Sequence, residues 1–246
     1  MSRLILIVFI FSTTIIFSQD SFFADGNRAF SEGKYEQAIE NYKKVEQRDL
    51  GGFGLYSNMA RSYAMLRQDA MSILFFEKAL KLRPNDIATK KDLMHIRKRN
   101  PDLDIGLEKF WASKIWAYIT GIFSSDLWAI FSLFLLSILC IYIVLNKKLI
   151  LYNKKHSAIT SIIMLFFVFS MMAARSREKD IYHNQGMIIM SESVQLKAGP
   201  DESSPVISDL APGSKVYKND FIGEWTQVRN EYGDLGWIRT TSAGKI

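Results

Sequence analysis

In 246 residues the chain has a single cysteine, Cys140, and only three histidines, His95, His156 and His183. One thiol excludes an intrachain disulfide framework and any metal site built from paired cysteines. Cys140 lies inside a long apolar run, where none of the histidines can meet it in a polar pocket across a bilayer leaflet. No His-Glu-x-x-His spacing occurs either. The carboxylates of Asp201 and Glu202 stand in a turn-like stretch, where solvation accounts for them. The expectation is a protein with no catalytic residue, no metal and no cofactor. The cluster Gly51, Gly52, Phe53, Gly54 has no strand before it and no lysine followed by serine or threonine after it, so it reads as a turn between hairpins rather than a phosphate loop. A basic groove with interleaved aromatics is also lacking, which argues against nucleic acid. The formal charge of +6 is uneven: residues 106–185 hold nine basic against four acidic residues, and residues 186–246 six against eight.

Long uncharged runs, in contrast, are present. Leu127 to Leu145 contains nineteen residues without a charge. At ~1.5 Å per residue such a helix spans roughly 28 Å, close to the ~30 Å hydrocarbon core of a bilayer. Ile159 to Ala174 adds sixteen more, extendable through Ala158 and flanked by Lys155 and Arg175, which can reach the interface. Two membrane helices, 127–145 and 158–174, are therefore expected. The link at 146–157 has Lys147, Lys148, Lys154 and Lys155 and no acidic residue, which makes it the cytoplasmic side of a helical hairpin. Both long arms then lie outside the cytoplasm.

The start of the chain agrees. Arg3, the apolar stretch Leu4 to Phe17 and the polar Ser18, Gln19 and Asp20 read as a secretory signal over residues 1–18. Ile16 is an unusual residue beside a cleavage point, so an uncleaved anchor is the alternative. Either form exports the residues that follow. The localisation expected is a bacterial inner membrane with two spans and both soluble domains in the periplasm.

Residues 19–52 and 53–86 align at a period of 34: Phe22 over Tyr56, Gly26 over Ala60, Ala38 over Ser72, Ile39 over Ile73, Tyr42 over Phe76, Val45 over Ala79. A fixed period near ~34 marks stacked helical hairpins. The segments GNRAFSEGKYEQAIENYKKV and NMARSYAMLRQDAMSILFFEKALKLRPN closely resemble tetratricopeptide repeats. Arg67 and Ser72 replace Gly33 and Ala38 in the second unit, and Leu50 stands where it has Pro84, which predicts looser turns. The stretch 87–99, capped by Asn85 or Asp86, is expected to cover the open end and complete a helical unit over 19–99. In that family the first helix of each hairpin lines a concave groove for peptides or partner helices. Carried over by register, the resemblance places Phe23, Asn27, Phe30, Ser57, Arg61 and Met65 there. Phe23 stands where carboxylate-clamping versions carry lysine.

Residues 100–126 join this unit to the membrane. Ile105, Phe110, Trp111, Ile115, Trp116, Ile119 and Phe123 recur at helical spacing, and tryptophan favours the headgroup region, so an interfacial helix on the lipid bilayer is expected. Beyond a polar connector at 175–186, the period changes. Residues 187–246 break into short β-rich runs separated by Gly-Pro, Pro-Gly and Asn-Asp signals, which predicts five or so strands in a small all-β barrel. The motif Leu196, Lys197, Ala198, Gly199, Pro200, with Pro212 and Gly213, Trp225 and Val228, and Gly236, Trp237, Ile238, is similar to the bacterial Src-homology-3-like domain. Lys197 takes the place of the usual arginine and keeps the charge without the bidentate fork. Such modules bind cell-wall peptides or protein segments between aromatics, which makes Tyr217, Trp225 and Tyr232 candidates here, with at least one tryptophan expected in the core.

The fold class expected is thus a multi-domain membrane protein: all-α hairpins, two transmembrane helices and a C-terminal all-β domain. This order of parts resembles BatE-type proteins of bacterial aerotolerance operons. The resemblance implies a non-enzymatic inner-membrane scaffold or adaptor whose partners are other membrane or periplasmic proteins, including other Bat proteins, in an envelope-stress complex. The alternative is a cell-wall sensor whose barrel binds peptidoglycan peptides.

Overall fold

The computed structural model describes residues 21–100, 103, 111–183 and 185–246. The expected signal segment and most of 101–110, including Ile105 and Phe110, lie outside the described residues. Two antiparallel helical pairs come first: α1 (Ser21–Ser31) with α2 (Tyr35–Glu46), and α3 (Phe53–Met65) with α4 (Asp69–Leu82). On α2, Ala38, Ile39, Tyr42 and Val45 are buried; their partners 34 residues on, Ser72, Ile73, Phe76 and Ala79, form the buried face of α4. One apolar stripe per helix, at the 3.6-residue period, is why these segments fold as helices against one another.

The two turns follow the same offset. Gly33 has φ +76° and its N–H donates to Phe30 O at 3.1 Å, while Arg67 has φ +61° and donates to Ala64 O at 3.3 Å. The second turn is therefore not looser: a non-glycine residue is held in the same left-handed conformation. Helix α5 (Ile87–Arg97) closes the stack, with Asp86 as its N-cap, its Oδ1 accepting from the Thr89 N–H at 2.8 Å. Thr89, Leu93 and Ile96 face inward.

Next, α6 (Trp111–Thr120) leads into α7 (Ser125–Tyr152), which pairs with α8 (Lys154–Glu178). Ser125–Asn146 and Lys154–Ile181 are long and apolar enough to cross a membrane. Most of their side chains point outward, Leu133, Val144 and Leu165 being more than 60% exposed. Asn146 leaves helical geometry, and Asn153 caps α8 by accepting from the Lys155 N–H at 3.0 Å. The link at 146–157 is thus almost wholly helical. At the other end Trp128 is buried, donates through Nε1 to Thr120 O at 3.1 Å, and its own carbonyl accepts from Ser170 Oγ at 3.0 Å. These bonds clamp the α6–α7 turn onto α8.

The expected connector at 175–186 is helical too. α8 runs to Glu178 and continues as a turn of π-helix over Lys179–His183, entering β1 (Gly186–Ile189) almost directly. Seven strands follow instead of five or so: β2 (Val194–Lys197), β3 (Val206–Leu210), β4 (Lys215–Ile222), β5 (Trp225–Asn230), β6 (Leu235–Arg239) and β7 (Ala243–Lys245) join β1 in one sheet of order β3-β2-β6-β5-β4-β1-β7. Every strand pairing is antiparallel.

The helical unit and the β domain share a core. On β1 the alternation of period two sends Met187 and Ile189 into the sheet's own cluster with Leu196, Val216, Val228 and Ile238, and Ile188 into the cluster of α1–α5. Met190, Ala211, Leu103 and Ile246 pack there as well. Fully burying a side chain such as Ile188 contributes roughly 1.5–3 kcal/mol. Three polar ties lie around this contact. Glu77 of α4 accepts from Lys215 Nζ of β4 at 2.6 Å and from Arg97 Nη2 of α5 at 2.8 Å. Lys81 Nζ donates to Ile246 O at 3.1 Å. Arg177, buried near the end of α8, donates through Nη2 to Lys81 O at 2.7 Å and Leu82 O at 3.1 Å, carbonyls that the last turn of α4 leaves open.

Candidate functional site

Helices α1, α3 and α5 enclose a groove of 370 Å³. Its apolar floor is Phe30, Ala64, Met65, Phe76 and Ile96, and its rim is charged. Arg61 Nε donates to Asp92 Oδ2 at 3.1 Å, with both side chains 40% exposed. Arg99 Nη1 donates to Ala64 O at 3.2 Å and lies 3.4 Å from Asp69 Oδ1, which leaves the guanidinium anchored at one edge. Lys91 and His95 complete the rim. Apolar depth with a few oriented polar groups suits a side chain or short segment of a partner.

The six groove residues inferred from the repeat register divide evenly. Phe30, Arg61 and Met65 line the groove, Met65 being 56% exposed. The other three do structural work. Ser57 is buried within the hairpin stack, since α3 turns that face toward its neighbours. Phe23 is half-buried with its ring centroid 6.0 Å from that of Tyr42. Asn27 ties three helices together: its Oδ1 accepts from Tyr42 Oη at 2.9 Å and from Asn58 Nδ2 at 2.8 Å. Burial pushes the Tyr42 hydroxyl up to about 12, against a smaller opposing pull from Asn58. Lys91, Asp92 and His95 of α5, and Arg99 in the turn just beyond it, are not reached by the repeat register, which treats 87–99 only as a cover; the spacing of 91 and 95 along one helical face is the available signal.

In the β domain Trp225 lies in a cleft of 250 Å³ that is lined by Gln195, Lys197, Glu202 and Arg239. Lys197 Nζ lies 5.8 Å and the Arg239 guanidinium 5.4 Å from its ring centroid. Glu202 bridges the two cations, accepting from Lys197 Nζ at 2.8 Å and Arg239 Nε at 2.7 Å. These hydrogen bonds, from Lys197 first and then Arg239, hold the Glu202 carboxyl below its ordinary range. Lys197 Nζ also bonds Glu202 O, so it closes the 198–205 loop. The three inferred aromatics do not converge. Tyr232 borders a separate 200 Å³ cavity with Ser208, Asp209 and Asp234, and half-buried Tyr217 lies beside Lys215. Trp237 is the tryptophan in the core.

Among the described residues, no group of three or more His, Cys, Asp or Glu side chains could hold a metal ion. His95 borders the helical groove, and His156 Nδ1 lies 2.8 Å from Tyr142 Oη at the closed end of the α7–α8 hairpin.

No family model matches the chain. A stretch of 54 residues is 35% identical to the "Probable cell wall amidase LytH" of two strains of Staphylococcus epidermidis, covering 22% of this chain and 19% of the amidase. The likeness thus spans about a fifth of the length of those relatives.

Proposed function

We propose that the protein is a non-enzymatic, membrane-anchored adaptor of the BatE type, with a tetratricopeptide-like array holding a segment of a partner protein in the groove between α1, α3 and α5. The observation that carries this reading is the groove itself: half-buried Phe30 and exposed Met65 beside a rim of both charge signs. In this reading residues 187–246 are a Src-homology-3-like barrel and α7 and α8 cross the inner membrane with the lysine-rich turn in the cytoplasm. The shared core of α4 and β1 supports one point of that topology, because two parts in van der Waals contact occupy the same compartment. The secretory character of residues 1–18 makes that compartment the periplasm.

Photo-crosslinking in intact cells tests the groove. A benzoyl-phenylalanine at Met65 is expected to capture a discrete membrane or periplasmic protein, and the same probe at Leu235, exposed on β6, to capture much less. Equal yields at the two positions overturn the proposal. Charge reversal by Arg61→Glu, which also breaks the Asp92 pair, is expected to lower capture at Met65 several-fold.

A second reading draws on the cleft beside Trp225: the β domain holds a peptide of the cell wall. Here Trp225→Ala would abolish retention of the full-length protein on isolated peptidoglycan while leaving capture at Met65 intact. Retention that survives the substitution excludes the cleft.

A further inference from the structure

Helix α6 has two apolar faces, and among the described residues one is packed against α8 while the other is exposed. Trp116 turns toward α8, its Nε1 donating to Ser176 Oγ at 3.0 Å and its ring standing edge-on to Phe169 at 5.7 Å. Thr120, one turn further, is buried. On the other side Trp111, Ile115, Tyr118 and Ile122, at spacings of four, three and four, are each more than 50% exposed. This stripe runs on through Phe123 and Leu127, also about half exposed, into the outward-facing side chains of α7. It leads, across a turn in which Ser124 and Asp126 are also exposed, to the surface by which the spans would meet lipid.

The helical array touches the same place. Asn85, in the α4–α5 turn, donates through Nδ2 to Tyr118 O at 2.8 Å, and Pro84 packs over Gly121 so closely that a Cβ there would lie 2.7 Å from Pro84 Cγ. Two residues beyond Asn85, hence within roughly 7 Å along the chain, stands Ile87, which is 80% exposed. An isoleucine this bare at a helix start is costly in water and favourable at a headgroup boundary. Arg175 and Lys179, exposed near the end of α8 beside the equally exposed Glu178 and Asp180, are the cations within reach of lipid phosphates there.

We propose that the outer face of α6 and the α4–α5 turn form one lipid-facing footing, so that the helical array lies down on the bilayer that α7 and α8 cross rather than hanging from it on a tether. The occupant is the polar–apolar boundary of the membrane itself, because the footing is continuous with the spans and fixed to them through Trp116 and Trp128. This inference rests on the spans being in the membrane, and not on what the groove binds.

The test uses the full-length protein, with Cys140→Ser and one new cysteine at a time at Ile87, Tyr118, Leu133 or Met65, each carrying a nitroxide, in nanodiscs of phosphatidylethanolamine and phosphatidylglycerol. All four positions are exposed, so a small label is tolerated. Relative accessibility to oxygen and to a water-soluble nickel chelate reports depth. The expected order is Leu133 deepest, then Tyr118 and Ile87 with oxygen-to-nickel ratios several-fold above that of Met65. An Ile87 label as open to nickel as Met65 overturns the footing. So does an Ile87 label shielded from both reagents, which means that protein covers it. A Leu133 label that reads as aqueous defeats the membrane reading and this inference together, whereas failed crosslinking at Met65 leaves the depth measurement unaffected.

Discussion

Gly26 stands where α1 meets the Tyr42 ring: a Cβ built on it would lie 2.5 Å from Cε1 of a side chain that has no exposed surface. Gly26→Ala gains about 1 kcal/mol in helix propensity but drives a methyl into a ring that cannot retreat, at about 1–3 kcal/mol. The expected outcome is a net loss, with faster amide exchange in α1 and α2 as the tie from Asn27 to Tyr42 and Asn58 opens. Arg67 presents the opposite case. Its left-handed backbone is strained for any side chain with a Cβ, so Arg67→Gly, matching Gly33, is expected to stabilise the array by about 1 kcal/mol in urea unfolding. Asp86 adds a pH dependence. The Thr89 N–H holds its carboxyl below the ordinary aspartate range. The cap is therefore fully effective above the unfolded value near ~3.9 and fades as pH falls through the lower folded value. Asp86→Ala is expected to cost about 1 kcal/mol at neutral pH and to show less loss of stability between neutral pH and pH 3 than the parent protein.

At the scale of elements, what the sequence made legible was whatever a local period encodes. The 34-residue offset anticipated which side chains of α2 and α4 are buried, and uncharged length anticipated α7 and α8. Groove membership was half legible, since register places Phe30, Arg61 and Met65 but is blind to the rotation that buries Ser57 and to the bonds that occupy Asn27. Contacts between distant segments left no local trace. Nothing in the run Arg175 to Gln185 marks Arg177 as the partner of carbonyls 95 and 96 residues earlier. That guanidinium can be tested directly. Arg177→Met keeps much of the buried volume and removes the donors, so exchange of the amides at the end of α4 is expected to accelerate while the middle of α3 stays protected. Unchanged exchange at the end of α4 would mean that solvent or neighbours satisfy those carbonyls without Arg177.

For the whole molecule the decisive contact is Glu77, a largely buried carboxylate that serves two cations from two different parts of the chain. Burial is the largest single influence on the Lys215 ammonium and works against it, but the charge of Glu77, the Tyr217 hydroxyl and the hydrogen bond to Glu77 together outweigh it and raise its pKa above the usual lysine range. Glu77→Ala strands Lys215 and Arg97 as uncompensated charges, and breaking a buried pair in this way costs about 3–5 kcal/mol. The helical unit and the β domain are expected to melt together in the parent protein and at separate temperatures in the variant. The sign of the pH effect follows: the stabilisation from Lys215 is complete below the unfolded lysine value near ~10.4 and is lost as pH rises through the higher folded value. Lys215→Met removes that alkaline loss.

Because α8 passes from its cap at Asn153 to its grip on α4 without a joint, and Trp128 pins its neighbour beside it, the hairpin and the head must lean as one piece. On the reading proposed above, in which the hairpin crosses a membrane and the groove holds a partner, a bilayer a few ångströms thinner would tilt the hairpin and rotate the groove with it, so that lipid chain length would act on which partners can reach it.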